Sequence, residues 1–142
     1  MSDDPFTERW LASLREEWNR PGGLGDELEK IGFDSVVAFG LPDEDAPRAC
    51  LVIRAGHIVE ASAGDCREAE WDIRASRAQW LAWLREPPGL LAIGMAFTSG
   101  ALSIRRGDYA AMIKDPVMAE MFVTSFAVMS RAYRNQCELP TA

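Results

Sequence analysis

Residues Leu90 to Asp108, LLAIGMAFTSGALSIRRGD, decide the fold. The run 90–97 carries no charge and predicts a buried helical segment. Because a membrane span needs about 20 such residues, we expect the run to be buried inside the protein or against something that the protein carries. Leu102 and Ile104 then alternate with more polar neighbours, as in a strand with one apolar face. Gly107 and Asp108 predict a turn followed by a helix that begins near Tyr109.

Outward from this stretch, the apolar periodicity predicts an α+β chain. Strands are expected over about 34–41, 48–54, 57–63, 69–75 and 101–105. Helices are expected over about 7–19, 26–30, 77–85, 90–97, 109–114 and 116–135. Short loops join the first three strands, which predicts an antiparallel meander. The first strand is apolar on both faces, so it should be central. We expect one domain over residues 1–142, with its core at about 24–135.

The composition limits the classes of binding partner and the cellular compartments that we expect. The net charge is −7 and the pI is near 4.7, which argues against nucleic acid and against electrostatic docking to anionic membranes. Cys50, Cys66 and Cys137 are odd in number and fit a reducing cytosol better than a disulfide framework. The first residues resemble no secretion signal, and the last four are not a peroxisomal address. We therefore expect a cytoplasmic protein, and the arginine-rich, lysine-poor composition suggests a bacterial source.

Residue types suited to catalysis are sparse. The only histidine, His57, falls at a predicted hairpin, where we expect it to face solvent. Cys50 is mid-strand and is expected to be a small core residue. Glu60, Asp72 and Arg74 could meet across strands, but charged strand positions are typical of a solvent-facing sheet surface. The sequence has no glycine-rich phosphate loop and no Cys/His metal cluster. We predict no catalytic residues, no metal site, no cofactor and no enzyme.

Three segments resemble the sterol carrier protein 2 family. In that family a strand enters a helix through a serine, as 72–76 (DIRAS) does here before 80–84 (WLAWL). The segment 87–96 follows, and 100–108 (GALSIRRGD) is similar to the strand that leads into the closing helices. The order and spacing match over about 24–129. The chain differs from the better-known transfer proteins in its acidity and in lacking a peroxisomal address.

The resemblance implies a five-stranded, mostly antiparallel sheet covered on one face by helices, with an apolar tunnel between the two layers. It also implies non-catalytic binding and carrying of a fatty acid, acyl-CoA or sterol. Arg105 and Arg106 are candidates for binding the head group, and the alternative is that they pair with Asp108 or Glu120. The expected ligand-lining residues are apolar positions from the predicted third helix onward: Trp80, Trp83, Leu84, Leu91, Met95, Phe97, Leu102, Ile104, Met118, Met121, Phe122, Phe126 and Met129.

Two other interpretations of this apolar surface remain open. A stripe rich in Met and Phe is more often core than ligand site when taken alone. The apolar groove could instead receive a partner enzyme or a second copy of the chain, or the protein could assist an enzyme that acts on an apolar metabolite. All interpretations share an apolar partner, and none involves nucleic acid or stable membrane insertion.

Overall fold

The computed structural model describes residues 5–64 and 66–137, except for the side chains of Gln136 and Cys137. The two chain ends interpreted above and the side chain of Cys137 therefore lie outside the described residues. The helices within this part are α1 (Glu8–Asn19), α2 (Leu24–Glu29), α3 (Arg77–Arg85), α4 (Leu90–Ser99), α5 (Tyr109–Lys114) and α6 (Pro116–Cys137). The strands are β1 (Ser35–Gly40), β2 (Ala49–Arg54), β3 (His57–Ala63), β4 (Trp71–Arg74) and β5 (Ser103–Arg106).

The strands form one mixed sheet in the order β3-β2-β1-β4-β5. The pairs β1–β2, β2–β3 and β4–β5 are antiparallel, and β1–β4 is parallel. The predicted meander of the first three strands and the central place of β1 are therefore confirmed. So is the prediction of a five-stranded, mostly antiparallel sheet.

Short polar side chains fix where the helices begin. The Thr7 and Ser76 hydroxyls accept hydrogen bonds from backbone N–H groups three residues later, at the start of α1 and α3. Asp108 does the same for α5, as predicted. The Asp115 carboxylate accepts from the N–H groups of residues 117 and 118, and Pro116 opens α6. These caps satisfy N–H groups that have no partner within the helix.

The helices pack on one face of the sheet and enclose the main core. Indole N–H groups tie distant segments together across it. Trp10 donates to the Met129 carbonyl at 3.2 Å and joins α1 to α6, while Trp80 donates to the Gly40 carbonyl at 2.9 Å and joins α3 to β1. The buried aromatic rings of this core are Phe6, Trp10, Trp18, Phe39, Trp80, Trp83, Tyr109, Phe126 and Tyr133.

A connection between two strands crosses the opposite face of the sheet. Because β3 is an edge strand and β4 lies beyond β1, residues 66–70 must cross the sheet to reach β4. Cys66 in this connection forms a disulfide with Cys50 of β2. The expectation that the cysteines are reduced is therefore wrong for this pair. The bond joins residues 16 positions apart, and the pairing depends on the crossover, which sequence spacing does not reveal.

Arg74 is buried, so the expectation of a solvent-facing charged side for β4 is wrong at this position. Its side chain is only 1% exposed. The guanidinium donates twice to the Asp72 carboxylate, at 2.6 and 3.1 Å. It also donates to the carbonyls of Leu41, Glu44 and Asp45. All five N–H groups thus have partners, which is the condition for burying an arginine.

Helix α4 forms as predicted, but most of its side chains are not buried inside the protein, which was the first of the two alternatives expected for this run. Only Ile93 is buried. Leu91 is 79% exposed and Met95 is 64% exposed, although both were expected to line the tunnel. The helix contacts the core through Ile93 and the half-buried Ala96, because its neighbours cover only one side of it. Within the described residues, none of the helices has the length and apolar character needed to span a membrane.

Candidate ligand-binding site

A cavity of about 70 Å³ lies between the sheet and the helices. Strand residues that share one face of the sheet form its floor: Val37, Phe39, Leu51, Ile53, Trp71 and Ile73. Residues of the two last helices form its roof: Met112, Met118, Met121, Phe122 and Ser125. The rim is completed by Trp18, Leu28 and Phe33.

Simple periodicities bring these side chains together. In β1 and β4, residues two apart point to the same face, so Val37 and Phe39 lie beside Trp71 and Ile73 across the parallel pair. In α6 the roof residues follow the spacing of a helix face, with Met118 at its N-terminal end. The site is therefore a consequence of the packing of α6 over the centre of the sheet.

The cavity wall offers no charged group among the described lining residues. Its hydroxyl, on Ser125, donates to the carbonyl of Phe122 at 2.6 Å. The Trp18 indole N–H donates to the carbonyl of Gly56 at 2.9 Å. Since both polar groups are already bonded within the protein, the wall presents apolar surface and is suited to an apolar occupant.

Three of the predicted ligand-lining residues border this cavity: Met118, Met121 and Phe122. Others are packed in the core instead: Trp80, Trp83, Leu84, Leu102, Phe126 and Met129. Ile104 is half-buried against that core. The floor residues of the sheet were not among the predicted lining residues. Their alternation along β1 and β4 was the signal that could have identified them, since it places them on the face that the helices cover.

Arg105 and Arg106, the predicted head-group ligands, both contact backbone carbonyls. Arg105 donates to the carbonyls of Glu44 and Pro42 at 2.7 and 2.6 Å. Arg106 donates to the carbonyl of Ala69 at 3.3 Å. These bonds fasten the loop before β2 and the connection before β4. The assignment of a head group to either arginine stays a prediction.

A second depression, the α4–α5 groove, is open to solvent. Its apolar walls are Leu90, Leu91, Gly94, Met95 and Ile113, and its remaining lining residues are Thr98, Ser99 and Tyr109. It therefore contains two predicted ligand-lining residues, Leu91 and Met95, that do not border the cavity. Phe97, another predicted ligand-lining residue, lines neither space and stacks on Tyr109 with ring centroids 4.1 Å apart.

Tyr109 separates the groove from the cavity. Its ring stacks on Phe97 and also makes a T-shaped contact with the ring of Phe122, a cavity residue, with the two ring centroids 6.2 Å apart. Tyr109 is 8% exposed, and its hydroxyl is buried without a hydrogen-bond partner among the described residues. Burial raises the pKa of Tyr109, so the hydroxyl keeps its proton at neutral pH and is available as a donor.

His57 belongs to a separate polar cluster. It is 28% exposed rather than fully solvent-facing, and its Nε2 lies 3.0 Å from Asp26 Oδ1. Its Nδ1 lies 3.1 Å from the Ala55 carbonyl and 3.7 Å from Glu29 Oε1. Hydrogen bonds from the Gly22 N–H and then from His57 hold the pKa of Asp26 below its usual value.

The ligand atoms of Asp26, Glu29 and His57 lie within 4.8 Å of one another, which is close enough for a metal ion. The two carboxylates, however, approach opposite nitrogens of the imidazole ring, and a single ion can bind only one of these. We therefore assign the cluster to holding α2 against the β2–β3 hairpin.

Comparisons with known proteins give matches in structure alone. No family model matches the chain, and no curated protein sequence matches it. A solution structure of a conserved hypothetical protein from Thermus thermophilus, described as a candidate sterol carrier protein, matches with a TM-score of 0.70 at 18% identity. That match covers 92% of this chain and 91% of the other.

Two further structures have the same architecture. A crystal structure of sterol carrier protein 2 matches with a TM-score of 0.68 at 19% identity, over 88% of this chain and 96% of the other. A UbiJ-SCP2 ubiquinone synthesis protein matches with a TM-score of 0.54 at 17% identity, over 93% and 90% of the two chains. The resemblance read from segments 72–84 and 100–108 is confirmed at the level of structure: the chain has the sterol carrier protein 2 fold.

Proposed function

We propose that this protein binds and carries a lipid-like apolar small molecule, such as a fatty acid, an acyl-CoA or a sterol, in the space between its sheet and α6. The observation that carries the proposal is the cavity whose wall is apolar and whose polar groups are already bonded. Two of the matched structures are described as sterol carrier proteins, one of them as a candidate, which supports the same ligand class.

The expected affinity is modest. Burying an acyl chain contributes about 0.8 kcal/mol per methylene, or on the order of 8 to 10 kcal/mol for a dozen carbons. Loss of translational and rotational freedom costs at least about 4 kcal/mol. The difference of about 4 to 6 kcal/mol corresponds to dissociation constants from roughly tens of micromolar to about one millimolar. Such binding is weak enough for a carrier to release its cargo.

Binding of a whole chain requires the cavity to widen into a tunnel. Its volume of about 70 Å³ is below the roughly 150 Å³ at which an apolar cavity holds benzene. The roof residues Met118, Met121 and Phe122 are only half-buried, and methionine side chains adapt readily to a new neighbour. We expect these three side chains to move outward when ligand enters.

The test is a displacement titration with a fluorescent fatty acid, using unlabelled fatty acids, acyl-CoA and a sterol as competitors. Phe122→Asp or Met118→Asp should abolish uptake while the far-ultraviolet circular dichroism stays normal. Val117→Asp is the matched control, because Val117 precedes Met118 on the same helix but is exposed and does not line the cavity. Normal uptake by the folded Phe122→Asp variant, or no saturable binding by the native protein, would refute the proposal.

A second candidate function is that of an accessory subunit for an enzyme that acts on an apolar metabolite. The exposed apolar side of α4 supports it, and one matched structure is described as a ubiquinone synthesis protein. Affinity purification from the native host should then yield a defined complex that is lost in Leu91→Glu. In both cases we propose that the chain itself is not catalytic, and turnover by the purified protein would contradict this.

We further propose that residues 1–142 form one binding domain and that it works in the cytoplasm. The Cys50–Cys66 bond weighs against a strongly reducing compartment, because disulfides are rare in the cytosol. Fractionation of native cells, with thiol labelling of each fraction, decides between the cytoplasm and an oxidising compartment.

A further inference from the structure

Tyr109 lines the α4–α5 groove, and its buried hydroxyl has no hydrogen-bond partner among the described residues. A buried hydroxyl without a hydrogen bond is costly, and native structures contain few of them. Tyr109 lines the groove, and its neighbours there are the exposed apolar residues Leu91 and Met95. A molecule seated in the groove would cover these apolar side chains, and its acceptor atom would reach the buried hydroxyl once the Tyr109 ring rotates towards it.

The groove and the cavity are neighbours across a single layer of side chains. Tyr109 belongs to the groove, Phe122 belongs to the cavity, and their rings are in contact. The cavity in its present form is too small for an acyl chain of a dozen carbons, so the widening proposed above has to continue towards a neighbouring apolar surface or the chain has to end outside. The groove is the apolar surface that this ring contact places next to the cavity.

Resting on the function proposed above, we propose that the α4–α5 groove binds the polar end of an amphiphile whose chain enters the cavity, and that the Tyr109 hydroxyl donates a hydrogen bond to an oxygen of its head group. The ligand class is a single-chain amphiphile with an acceptor oxygen, such as a fatty acid. The apolar walls cover the first part of the chain. A rotation of the Tyr109 and Phe122 rings opens the way between the two spaces.

The hydroxyl is tested with Tyr109→Phe and two probes, dodecanoate and dodecane, each in competition with a fluorescent fatty acid. The variant keeps the ring and its contacts, and its thermal midpoint should equal or exceed that of the native protein because the unpaired hydroxyl is gone. We expect it to bind dodecanoate about tenfold more weakly, as for loss of a hydrogen bond to a charged group. Its affinity for dodecane should stay unchanged.

The groove is tested with Gly94→Trp, which fills it. A Cβ at Gly94 meets no atom within 4 Å, so the substitution has room on a helical backbone. Ala92→Trp is the matched control, because Ala92 is exposed on the same helix but does not line the groove. Gly94→Trp should weaken dodecanoate binding at least fivefold, and Ala92→Trp should leave it unchanged.

The outcomes separate this inference from the proposed function. If the native protein binds neither probe, the lipid-binding function itself fails, and this inference fails with it. If the native protein binds both probes and Tyr109→Phe leaves the ratio of their affinities unchanged, the inference alone is overturned. Equal effects of Gly94→Trp and Ala92→Trp overturn it in the same way. A selective loss of dodecanoate binding in Tyr109→Phe supports it even if Gly94→Trp does not fold.

Discussion

Replacement of the buried arginine, Arg74→Met, should destabilise the protein severely. Arg74 is 1% exposed, and its five N–H groups bind the Asp72 carboxylate and three carbonyls of the loop between β1 and β2. Methionine fills part of the volume but leaves the Asp72 charge, itself only 15% exposed, without its partner. Removing one partner of a buried ion pair lowers the free energy of unfolding by about 3 to 5 kcal/mol, because the other charge is left buried and uncompensated. The three carbonyls that lose their donor add little to this loss of stability, because the loop can turn them towards water.

The expected loss of about 4 kcal/mol is a large share of the roughly 5 to 15 kcal/mol by which such domains are stable. Urea unfolding followed by tryptophan fluorescence and by circular dichroism measures it. With a slope of about 2 kcal/mol per molar urea, the midpoint should fall by about 2 M. Removal of the charge as well, in Asp72→Asn with Arg74→Met, should recover part of the loss.

Arg105→Met is the matched control for this prediction. Arg105 also donates two hydrogen bonds to carbonyls of the same loop, but its side chain is exposed, so water can replace it. We expect a loss of less than about 1 kcal/mol. A loss of that size for Arg74→Met, or equal losses for the two variants, would refute the argument that burial makes the difference.

Three further predictions concern other parts of the fold. Cys50→Ser with Cys66→Ser, or reduction of the native protein, should lower the free energy of unfolding by about 3 kcal/mol in urea titrations, as for a loop of this length. Gly107→Ala should weaken fatty-acid binding and thermal stability together, because Gly107 has φ +112° and a Cβ there would overlap the ring of Trp71 on the cavity floor. Because the pKa of Asp26 is lowered on folding, its contribution to stability is present at neutral pH and is lost as the pH falls through that pKa. Thermal midpoints measured from pH 7 to pH 3 should therefore fall less steeply in Asp26→Asn than in the native protein, and parallel curves would contradict the assignment.

The elements that were predicted correctly from the sequence are determined by residues that are close together along the chain. Ser76, Asp108 and Asp115 each satisfy N–H groups of the turn that follows them, so a few neighbouring residues determine where a helix begins. The central place of β1 followed from apolar residues on both of its faces. In α6, helical spacing was enough to place Met118 and Phe122 on the inward side.

The features that sequence missed depend on tertiary neighbours. Periodicity identifies the inward face of a helix but not what lies opposite, which is why Phe126 is packed in the core while Phe122, four residues earlier, borders the cavity. The burial of Arg74 requires a loop that returns over the end of β4. The disulfide requires the crossover between β3 and β4. The exposure of Leu91 arises because no neighbouring element covers that side of α4.

The exposed side of α4 also determines what kind of selectivity the groove can have. Fully burying a leucine or methionine side chain contributes about 1.5 to 3 kcal/mol, and Leu91 and Met95 are 79% and 64% exposed. Covering both therefore contributes roughly 2 to 4 kcal/mol, more than the roughly 1 kcal/mol of a neutral hydrogen bond from Tyr109. Among uncharged amphiphiles the length of the apolar chain should thus decide the order of affinity, and the head group should matter mainly when it is charged. In competition titrations, adding four methylenes should strengthen binding more than exchanging an ester for an alcohol.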